Sequence, residues 1–368
     1  MASFAEPQTN FQFLSELLLG TPNSQSVLDL KPARTTDTSN SLSVKNLEPL
    51  KTLAATNHVI VRAFVRLQPI LHEGMEHDLA EFVAASLQEE SLRIKHALGF
   101  LANICSALEQ NGCAVTVIKS LDHWPDLGSD LDLYTDADPA KVVQVMSSQF
   151  GAKLAERSWG DRLANKWNFV VPGLPEMIEV HIGRLGQTGE QTAFTRSLLH
   201  RTRVITIDGQ SFRVLAPEDR IIISTLQRMY RHFYIRLCDV VDNAHLLDSD
   251  EIDFDYLHTT GYMSGLWEGI ATYLVIISEY VEKYRGHGVP LPSLVTESAK
   301  FGARPVCFRK DFLRVPILPH SLNLYAGELK TLLFRGQLRN SFRLSLLPGL
   351  ATAAALEMKI TGSDKGIW

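Results

Sequence analysis

The sequence predicts an α+β fold in which a small mixed sheet lies between two helical lobes. Apolar residues recur at helical spacing over residues 46–111 and again after residue 217. Short alternating or wholly apolar runs, which are typical of strands, are concentrated between residues 112 and 216. Blocks of helix on either side of a block of strands indicate an α+β protein. We therefore predict an N-terminal helical lobe over 1–111, an α/β core over 112–216 and a C-terminal helical lobe over 217–368.

Size, composition and charge describe an ordinary globular chain. The 368 residues are 45% hydrophobic and 21% charged, and the net charge of −5 gives no basic field that would favour long nucleic acid as a partner. The four cysteines form no CxxC pair, which indicates reduced thiols in or near the core. No secretory signal is visible, and the longest apolar stretch, residues 344–356, is interrupted by Pro348 and Gly349. We expect a cytoplasmic protein that does not cross a membrane.

The N-terminal lobe divides into a short helix, a loop and a set of longer helices. Residues 11–18 can form an amphipathic helix, and residues 21–43 are rich in Ser, Thr, Asn and Pro, as loops are. A long helix is predicted from about His77 to Gln110, because apolar residues recur every three or four positions. The Asn111-Gly112 pair ends it.

Strand patterns then alternate with one helix. The predicted strands are Cys113–Lys119, Asp130–Tyr134, Trp167–Val171 and Met177–Ile182, followed by a hairpin over residues 203–215 with Asp208-Gly209 at its turn. A helix is predicted from about Pro139 to Phe150, with Asp136 as its cap.

The C-terminal lobe is predicted to be mostly helical. One long helix opens at residues 216–219 and runs through Leu247, and further helices are expected around residues 255–258 and 264–284. Residues 286–319 are rich in proline and read as irregular, residues 320–358 return to helix, and the last residues are expected to fray.

The strand Asp130–Tyr134 carries the chemistry. Side chains alternate along a strand, so Asp130 and Asp132 project from one face while Leu131 and Leu133 enter the core. Two adjacent carboxylates repel each other unless a cation lies between them, and hard oxygen ligands suit Mg²⁺ or Mn²⁺. The turn Gly128-Ser129 before them offers backbone N–H groups and a hydroxyl to a phosphate. The local pattern therefore indicates a metal–triphosphate site.

A third carboxylate is expected from the fourth strand. Glu179 and His181 share a face of that strand, and Glu179 joins the cluster if the strand lies beside Asp130–Tyr134. Three such carboxylates make a two-metal phosphoryl-transfer site, with Glu179 on the side of the attacking group and able to act as a base. Lys119 and Arg184 are predicted to neutralise phosphate charge, and His181 is predicted to touch phosphate or to orient the acid.

Each of these readings has a plainer alternative. An acid-x-acid pair is common on solvated strands, and His181 can be a packed, hydrogen-bonded histidine. Arg236 and Asp239 most simply brace a helix against the sheet. The aromatic residues at 230, 233 and 234 are more typical of core than of a base-stacking platform, and residues 159–167 are most simply a solvated loop before the third strand.

The combination of motifs resembles the polymerase-beta-type nucleotidyltransferase superfamily, whose signature is a Gly-Ser turn, an acid-x-acid strand and a later third acid. It is most similar to the bacterial branch of uncharacterised nucleotidyltransferases. The residues that carry the likeness are Lys119-Ser120, Asp130 and Asp132, Glu179 and His181, the hairpin 203–215, Leu215-Ala216-Pro217-Glu218-Asp219 and Arg236 with Asp239. The likeness spans about residues 50–250. Ser120 replaces the usual Gly, and Leu127 stands where the branch often has Arg.

The resemblance implies an enzyme that moves a nucleoside monophosphate from an NTP, with ATP as the expected donor, to a hydroxyl or phosphate acceptor and releases pyrophosphate. Asp130, Asp132 and Glu179 would be the catalytic metal ligands, with Lys119, Gly128, Ser129, His181 and Arg184 binding the nucleotide. Mild acidity favours a small-molecule, peptide or protein acceptor over nucleic acid. A toxin-like enzyme acting on tRNA or protein and a catalytically silent nucleotide-binding or regulatory relative are the alternatives.

Overall fold

The α+β prediction is confirmed in a computed structural model that describes residues 6–20, 44–73, 77–249 and 251–361. The predictions of a loop over 21–43 and of fraying at the end of the chain fall largely outside these residues. No described helix is long and apolar enough to cross a membrane.

Within the described residues, four helices precede the sheet, and they follow the apolar periodicity of the sequence. Their bounds are Glu6–Leu19 (α1), Val44–Thr56 (α2), Ile60–Glu73 (α3) and His77–Gln110 (α4). The last of these is a continuous helix of 34 residues. Its second half, from Ile94 to Leu108, packs its apolar face on the sheet, which ties the N-terminal helices to the strands.

Seven strands form one mixed sheet. They are Val115–Val117 (β1), Asp130–Thr135 (β2), Lys153–Leu154 (β3), Lys166–Val170 (β4), Met177–Ile182 (β5), Thr202–Ile207 (β6) and Gln210–Leu215 (β7). The spatial order is β3-β4-β5-β2-β1-β7-β6. The pairs β2–β5 and β1–β7 are parallel and the other neighbours are antiparallel.

Two details near the strands differ from prediction. The helix Pro139–Phe150 (α5) is capped by Asp138, whose side chain accepts from the backbone N–H groups of residues 140 and 141; Asp136 lies too far from these donors in sequence. The first strand ends at Val117, two residues before its predicted end. Lys119 adopts φ +62°, which leaves the β region, and a 3₁₀ turn, Ser120–His123, follows.

The predicted long helix after the hairpin is broken. It consists of Pro217–Thr225 (α7), a π-helical turn over Leu226–Arg231, the short strand Tyr234–Ile235 (β8) and then Leu237–Asp248 (α8). Phe233, with φ +53°, marks the break. The apolar periodicity continues through this region, so the sequence pattern alone does not reveal the interruption.

A second, three-stranded sheet lies in the region that was predicted to be irregular. Cys307–Arg309 (β9) and Phe312–Arg314 (β10) form a hairpin, and β10 pairs with β8. The remaining helices are Phe254–Ser264 (α9), Trp267–Arg285 (α10), Ser293–Ser298 (α11), Leu322–Phe334 (α12), Leu338–Ser345 (α13) and Leu347–Thr361 (α14). Strands of three residues are too short to show an alternating pattern, which explains why they were missed.

Two hydrophobic clusters hold the described chain together. One is built around the seven-stranded sheet and the second half of α4. The other joins the N-terminal helices α1 to α3 to the helices α7 to α10. Helices from both ends of the chain therefore share one core. The face of the sheet that carries the alternate residues Asp130, Asp132 and Tyr134 of β2 is directed toward this core.

Candidate active site

The register of β2 and β5 brings the predicted acids to one face of the sheet. Asp132 lies directly opposite Glu179 in the parallel pair, and Asp130 lies one pleat before Asp132. The intervening Leu131 and Leu133 are fully buried on the other face, so burial of that apolar face fixes the register. The structure thus brings together the three carboxylates that the alternation predicted would meet.

Asp132 is buried, with 8% of its surface exposed, and its carboxylate has two partners. Lys119 Nζ forms an ion pair with Asp132 Oδ1, and His181 Nε2 donates to the same oxygen at 3.3 Å. Burial acts to raise the pKa of Asp132, but the charge of Lys119 and the His181 hydrogen bond outweigh it and hold that pKa well below its usual value. Asp132 is therefore an anion at neutral pH.

His181 is neutral when it contacts Asp132. Burial, together with the nearby charge of Lys119, lowers the pKa of His181. The neutral ring still directs Nε2 toward Asp132, and the same nitrogen lies 3.9 Å from Glu179 Oε2. The geometry matches the predicted role of orienting an acid.

Glu179 is paired with Lys166, which the sequence placed beside a solvated loop. Lys166 Nζ donates to Glu179 Oε1 at 3.1 Å and also lies 3.1 Å from Asp161 Oδ1. Lys166 begins β4 and is buried, and Trp159–Ala164 before it is a helical turn (α6) with Ser158 and Asp161 forming a capping box. The solvated-loop interpretation of this segment is therefore wrong for Lys166.

Asp130 differs from Asp132 in environment. It is only partly buried, at the start of β2, and Ser129 Oγ donates to its Oδ2 at 3.2 Å. Burial and repulsion from Glu179 and Asp132 raise the pKa of Asp130. Of the three carboxylates, the charged form of Asp130 would therefore be stabilised most by a cation that neutralises Glu179 and Asp132.

The strand β2 is tied to the turn before it through Ser120. Asp132 N–H donates to Ser120 Oγ at 2.7 Å, and the same hydroxyl donates to the Asp130 carbonyl at 3.2 Å. These bonds hold Lys119 in its left-handed conformation, which costs of order 1–3 kcal/mol for a residue other than glycine. Ser120 thus gives a structural reason for a serine at a position where the resembling branch usually has glycine.

The loop that contains Gly128 and Ser129 is held by an arginine that sequence reasoning missed. Arg93, in α4, donates to the Leu127 carbonyl at 2.9 Å and to the Gly128 carbonyl at 3.3 Å, and it pairs with buried Glu176 at 2.5 Å. These bonds involve the carbonyl oxygens of the loop, so its backbone N–H groups point away from Arg93. An arginine on a long amphipathic helix carries no sequence signal for this role.

The other wall of the cleft carries arginines. The break between α7 and α8 brings Arg228, Arg231 and Arg236 to line the cleft together with Lys119 and the carboxylates. His232 lines it too, but burial lowers the pKa of its ring, so it adds no positive charge. The net charge of −5 concealed this local concentration of positive charge. Because it depends on an unpredicted helix break, the sequence pattern could not have located it.

Arg184 is not among the residues that line this cleft. Gly183, with φ +68°, turns the chain away after β5, and Arg184 Nη1 donates to the Leu163 carbonyl at 3.2 Å. The structure therefore does not bring Arg184 to the position from which it was predicted to neutralise phosphate. Arg228, Arg231 and Arg236 are the arginines that face the carboxylates.

The structure agrees with some of the plainer interpretations of the remaining residues and differs from others. Asp239 Oδ2 forms an ion pair with Arg228 Nε at 2.7 Å and accepts from the Arg236 N–H at the start of α8, so its bracing role holds. Tyr230 is core, as expected. Tyr234, which was also expected to be core, lines the cleft and stacks on Phe312 with ring centroids 4.2 Å apart.

The donor chemistry of the face fits a divalent ion. Oxygens of Asp132 and Glu179 lie within 4.8 Å of each other and of a ring nitrogen of His181, and Asp130 lines the same cleft. Carboxylate oxygens are the preferred ligands of Mg²⁺ and Mn²⁺. Lysine ammonium groups hold both Asp132 and Glu179, which shows that each carboxylate is already placed against a positive charge.

A family model described as uncharacterised nucleotidyltransferase matches residues 45–266, more than half of the chain. The chain belongs to this family. The match begins in α2 and ends after α9, so it covers the sheet, the acids of β2 and β5, and the helix break that carries the arginines. The resemblance inferred from the sequence is confirmed at this level.

The nucleotidyltransferase family match is accompanied by a likeness to a solved structure. An antigenic nucleotidyltransferase-like protein from Paracoccidioides brasiliensis aligns with 13% identity and a TM-score of 0.33, over 52% of this chain and 94% of that one. No curated protein matches the sequence.

Proposed function

We propose that this nucleotidyltransferase transfers a nucleoside monophosphate from an NTP, with ATP as the expected donor, to a hydroxyl or phosphate acceptor and releases pyrophosphate. The observation that carries the proposal is the convergence of Asp130, Asp132 and Glu179 on one sheet face, opposite a wall of arginines. Carboxylates suit metal ions and arginines suit phosphate oxygens, so the cleft matches the charge pattern of a metal–triphosphate.

Asp130, Asp132 and Glu179 are the proposed ligands of Mg²⁺ or Mn²⁺. When bound, the metal supplies charge neutralisation at the triphosphate and lowers the pKa of the attacking hydroxyl. Lys119 and Lys166 each contact one oxygen of a proposed ligand, so a metal at these carboxylates would compete with both ion pairs. Lys119 lines the same cleft and would then pair with a phosphate oxygen.

The other side chains bind and orient. Gly128 and Ser129, on the loop that Arg93 holds, are positioned to bind the β- and γ-phosphates, and Arg231 and Arg236 bind from the opposite wall. His181 keeps Asp132 in its ligating orientation. In the transfer, a bond forms between the acceptor oxygen and the α-phosphorus while the bond to the pyrophosphate oxygen breaks. Glu179 takes the acceptor proton.

The class of acceptor is also proposed from charge. Mild overall acidity favours a small molecule, a peptide or a protein over nucleic acid. The arginine wall does not alter this preference, because a triphosphate alone carries enough negative charge to occupy it.

The test is transfer of a label from NTPs that carry it on the α-phosphate. The protein is incubated with Mg²⁺, a cell extract and each of the four labelled NTPs in turn, and the Asp130→Asn variant serves as the matched control. We expect label in one acceptor class and release of pyrophosphate with the wild type, strongest with ATP, and neither with the variant. Binding of MgATP without any transfer or pyrophosphate release would favour a silent relative, and turnover by Asp130→Asn would remove the metal role.

A further inference from the structure

A second group of metal-ligating side chains lies beside the carboxylates and has no part in the proposed transfer. His58, His123 and Cys238 each place one ligand atom so that the three atoms lie within 4.8 Å of one another. They come from three elements: the turn between α2 and α3, the end of the 3₁₀ turn after β1, and the first turn of α8. His123 and Cys238 are buried, and His58 is partly buried.

The spacing of the ligand atoms fits a tetrahedral ion. His123 Nε2 lies 3.8 Å from Cys238 Sγ. In a tetrahedral zinc site, bonds of about 2.0 Å to nitrogen and about 2.3 Å to sulfur place these two atoms about 3.6 Å apart. The observed separation is close to this value, and it is long for a strong hydrogen bond between the two groups.

The orientation of His123 is the one that metal-binding histidines adopt. Its Nδ1 donates to Asp242 Oδ2 at 2.5 Å, which directs Nε2 toward Cys238 Sγ. A carboxylate that fixes the far nitrogen of a histidine is the usual partner of a zinc-bound ring. Asp242 is held in turn by Arg62 Nη1 at 2.5 Å, so the second layer of contacts is rigid.

His58 supplies an independent sign of a missing partner. Its Nδ1 is shielded from solvent and has no hydrogen-bond partner among the described residues. The residue also adopts φ +53°, a strained conformation for a histidine. A buried polar atom without a partner is costly, and a strained backbone that persists at such a position commonly serves a site.

We propose that His58, His123 and Cys238 bind a transition-metal ion, with Zn²⁺ as the expected species. Two imidazoles and one thiolate are a ligand set that suits zinc and excludes Mg²⁺, so this site differs in chemistry from the carboxylate face. His58 and His123 line the cleft, whereas Cys238 lies behind it. A fourth ligand, such as water, would therefore come from the side of the cleft.

The charges around the site balance when the ion is present. Zn²⁺ and Arg62 contribute three positive charges, and the Cys238 thiolate, Asp126 and Asp242 contribute three negative ones. The same balance results if the ion is absent and His123 is protonated against Asp242 with Cys238 as a thiol. These two states differ in metal content and in sulfur coordination, both of which are measurable.

The zinc site would join three elements that are far apart in sequence. Residue 58 connects two N-terminal helices, residue 123 lies in the loop that follows Lys119, and residue 238 starts α8. An ion bound between them fixes the loop between β1 and β2 relative to helices from both ends of the chain. Its proposed role is structural support of the cleft, independent of whether transfer occurs.

The experiment uses the full chain. The protein is stripped with a chelator and dialysed, and Co²⁺ is titrated while the visible and near-ultraviolet spectrum is recorded; zinc is then added, and zinc content is measured by mass spectrometry. We expect tetrahedral cobalt bands and a sulfur-to-cobalt charge-transfer band, their loss on zinc addition, and about one equivalent of zinc. Sulfur coordination separates this site from the carboxylate face, which has no thiol.

Two variants and one control make the test specific. Cys238→Ser should abolish the charge-transfer band, and Asp242→Asn should keep the band but weaken binding about 10- to 100-fold. Cys113→Ser removes another fully buried thiol, distant from the histidines, and should leave both spectrum and affinity unchanged.

Absence of the charge-transfer band in the wild type would overturn the proposal, as would retention of the band in Cys238→Ser or its loss in Cys113→Ser. If Cys238→Ser does not fold, the wild-type spectrum and that of Cys113→Ser decide the matter.

Discussion

The two aspartates of β2 should respond in opposite ways to the same substitution. Asp130→Asn removes a carboxylate whose pKa is raised by burial and by Glu179 and Asp132. Asp132→Asn removes a carboxylate whose pKa is held low, against burial, by Lys119 and His181. In the absence of metal, Asp130→Asn should therefore leave stability unchanged or increase it, and Asp132→Asn should decrease it.

The magnitudes follow from burial. Removing one partner of a fully buried ion pair costs roughly 3–5 kcal/mol, because the other charge is left uncompensated. Lys119 borders an open cleft, which reduces the expected cost of Asp132→Asn to about 2–3 kcal/mol. One unit of pKa shift corresponds to about 1.4 kcal/mol. Asp130 is partly solvated, so Asp130→Asn should gain no more than about 1 kcal/mol.

The pH dependence has a definite sign. A lowered folded-state pKa contributes stability above the unfolded value of about 3.9, and that contribution is lost as the pH falls through the folded value. The deficit of Asp132→Asn should therefore shrink as acid is added. A raised pKa has the reverse effect, so the gain of Asp130→Asn should be present at neutral pH and vanish below the unfolded value of about 3.9.

The assay is urea unfolding of both variants and the wild type, in a chelator, at pH 7 and at pH 3. Asp132→Asn as stable as the wild type, or Asp130→Asn weaker by more than about 2 kcal/mol, would refute the assigned electrostatics. An unchanged dependence of unfolding free energy on urea concentration checks that the variants unfold from the same compact state.

Three further predictions concern the surroundings of the site. Gly186→Ala should lower the free energy of unfolding in urea by about 3 kcal/mol, because an added Cβ would lie 2.1 Å from Glu190 Oε1 at a φ of +91°. Gly183→Ala, which has open space around it, is the control and should cost only about 1 kcal/mol. Equal costs would contradict the steric argument. Arg93→Met should weaken MgATP binding in calorimetry about tenfold, because the Gly128 loop loses its anchor, and unchanged affinity would exclude that positioning role. Burial raises the pKa of Asp219 to about 6, so Asp219→Asn should stabilise the protein by about 1 kcal/mol at pH 8 and not at pH 4, as thermal unfolding at both pH values will test.

The sequence located the acids because their positions depend on local rules. Alternation along β2 and β5 decides which side chains share a face, and a slip of one residue would move the apolar partners Leu131 and Ile178 to opposite sides of the sheet. The pairing of Asp132 with Glu179 then follows from adjacency of two strands. The family match confirms the nucleotidyltransferase family that these motifs suggested.

Apart from Lys119, the cations of the cleft could not be predicted in the same way. Lys166 was assigned to a loop because the short α6 before it hides the start of β4, and the arginines depend on the π-helical turn at Leu226–Arg231. Apolar residues keep helical spacing across that turn, so the pattern predicts an unbroken helix. The strand β8 forms only because β10 pairs with it from about 80 residues away, a contact that no local rule contains.

The most direct measurement is the position of a metal in a crystal grown with Mn²⁺ and a non-hydrolysable ATP analogue, located by anomalous scattering. The account predicts Mn²⁺ bonded at about 2.2 Å to carboxylate oxygens of both Asp130 and Asp132. Lys119 should by then have moved from Asp132 to a phosphate oxygen. Manganese bound elsewhere, with the pairing of Lys119 and Asp132 intact and the nucleotide away from the arginine wall, would contradict it.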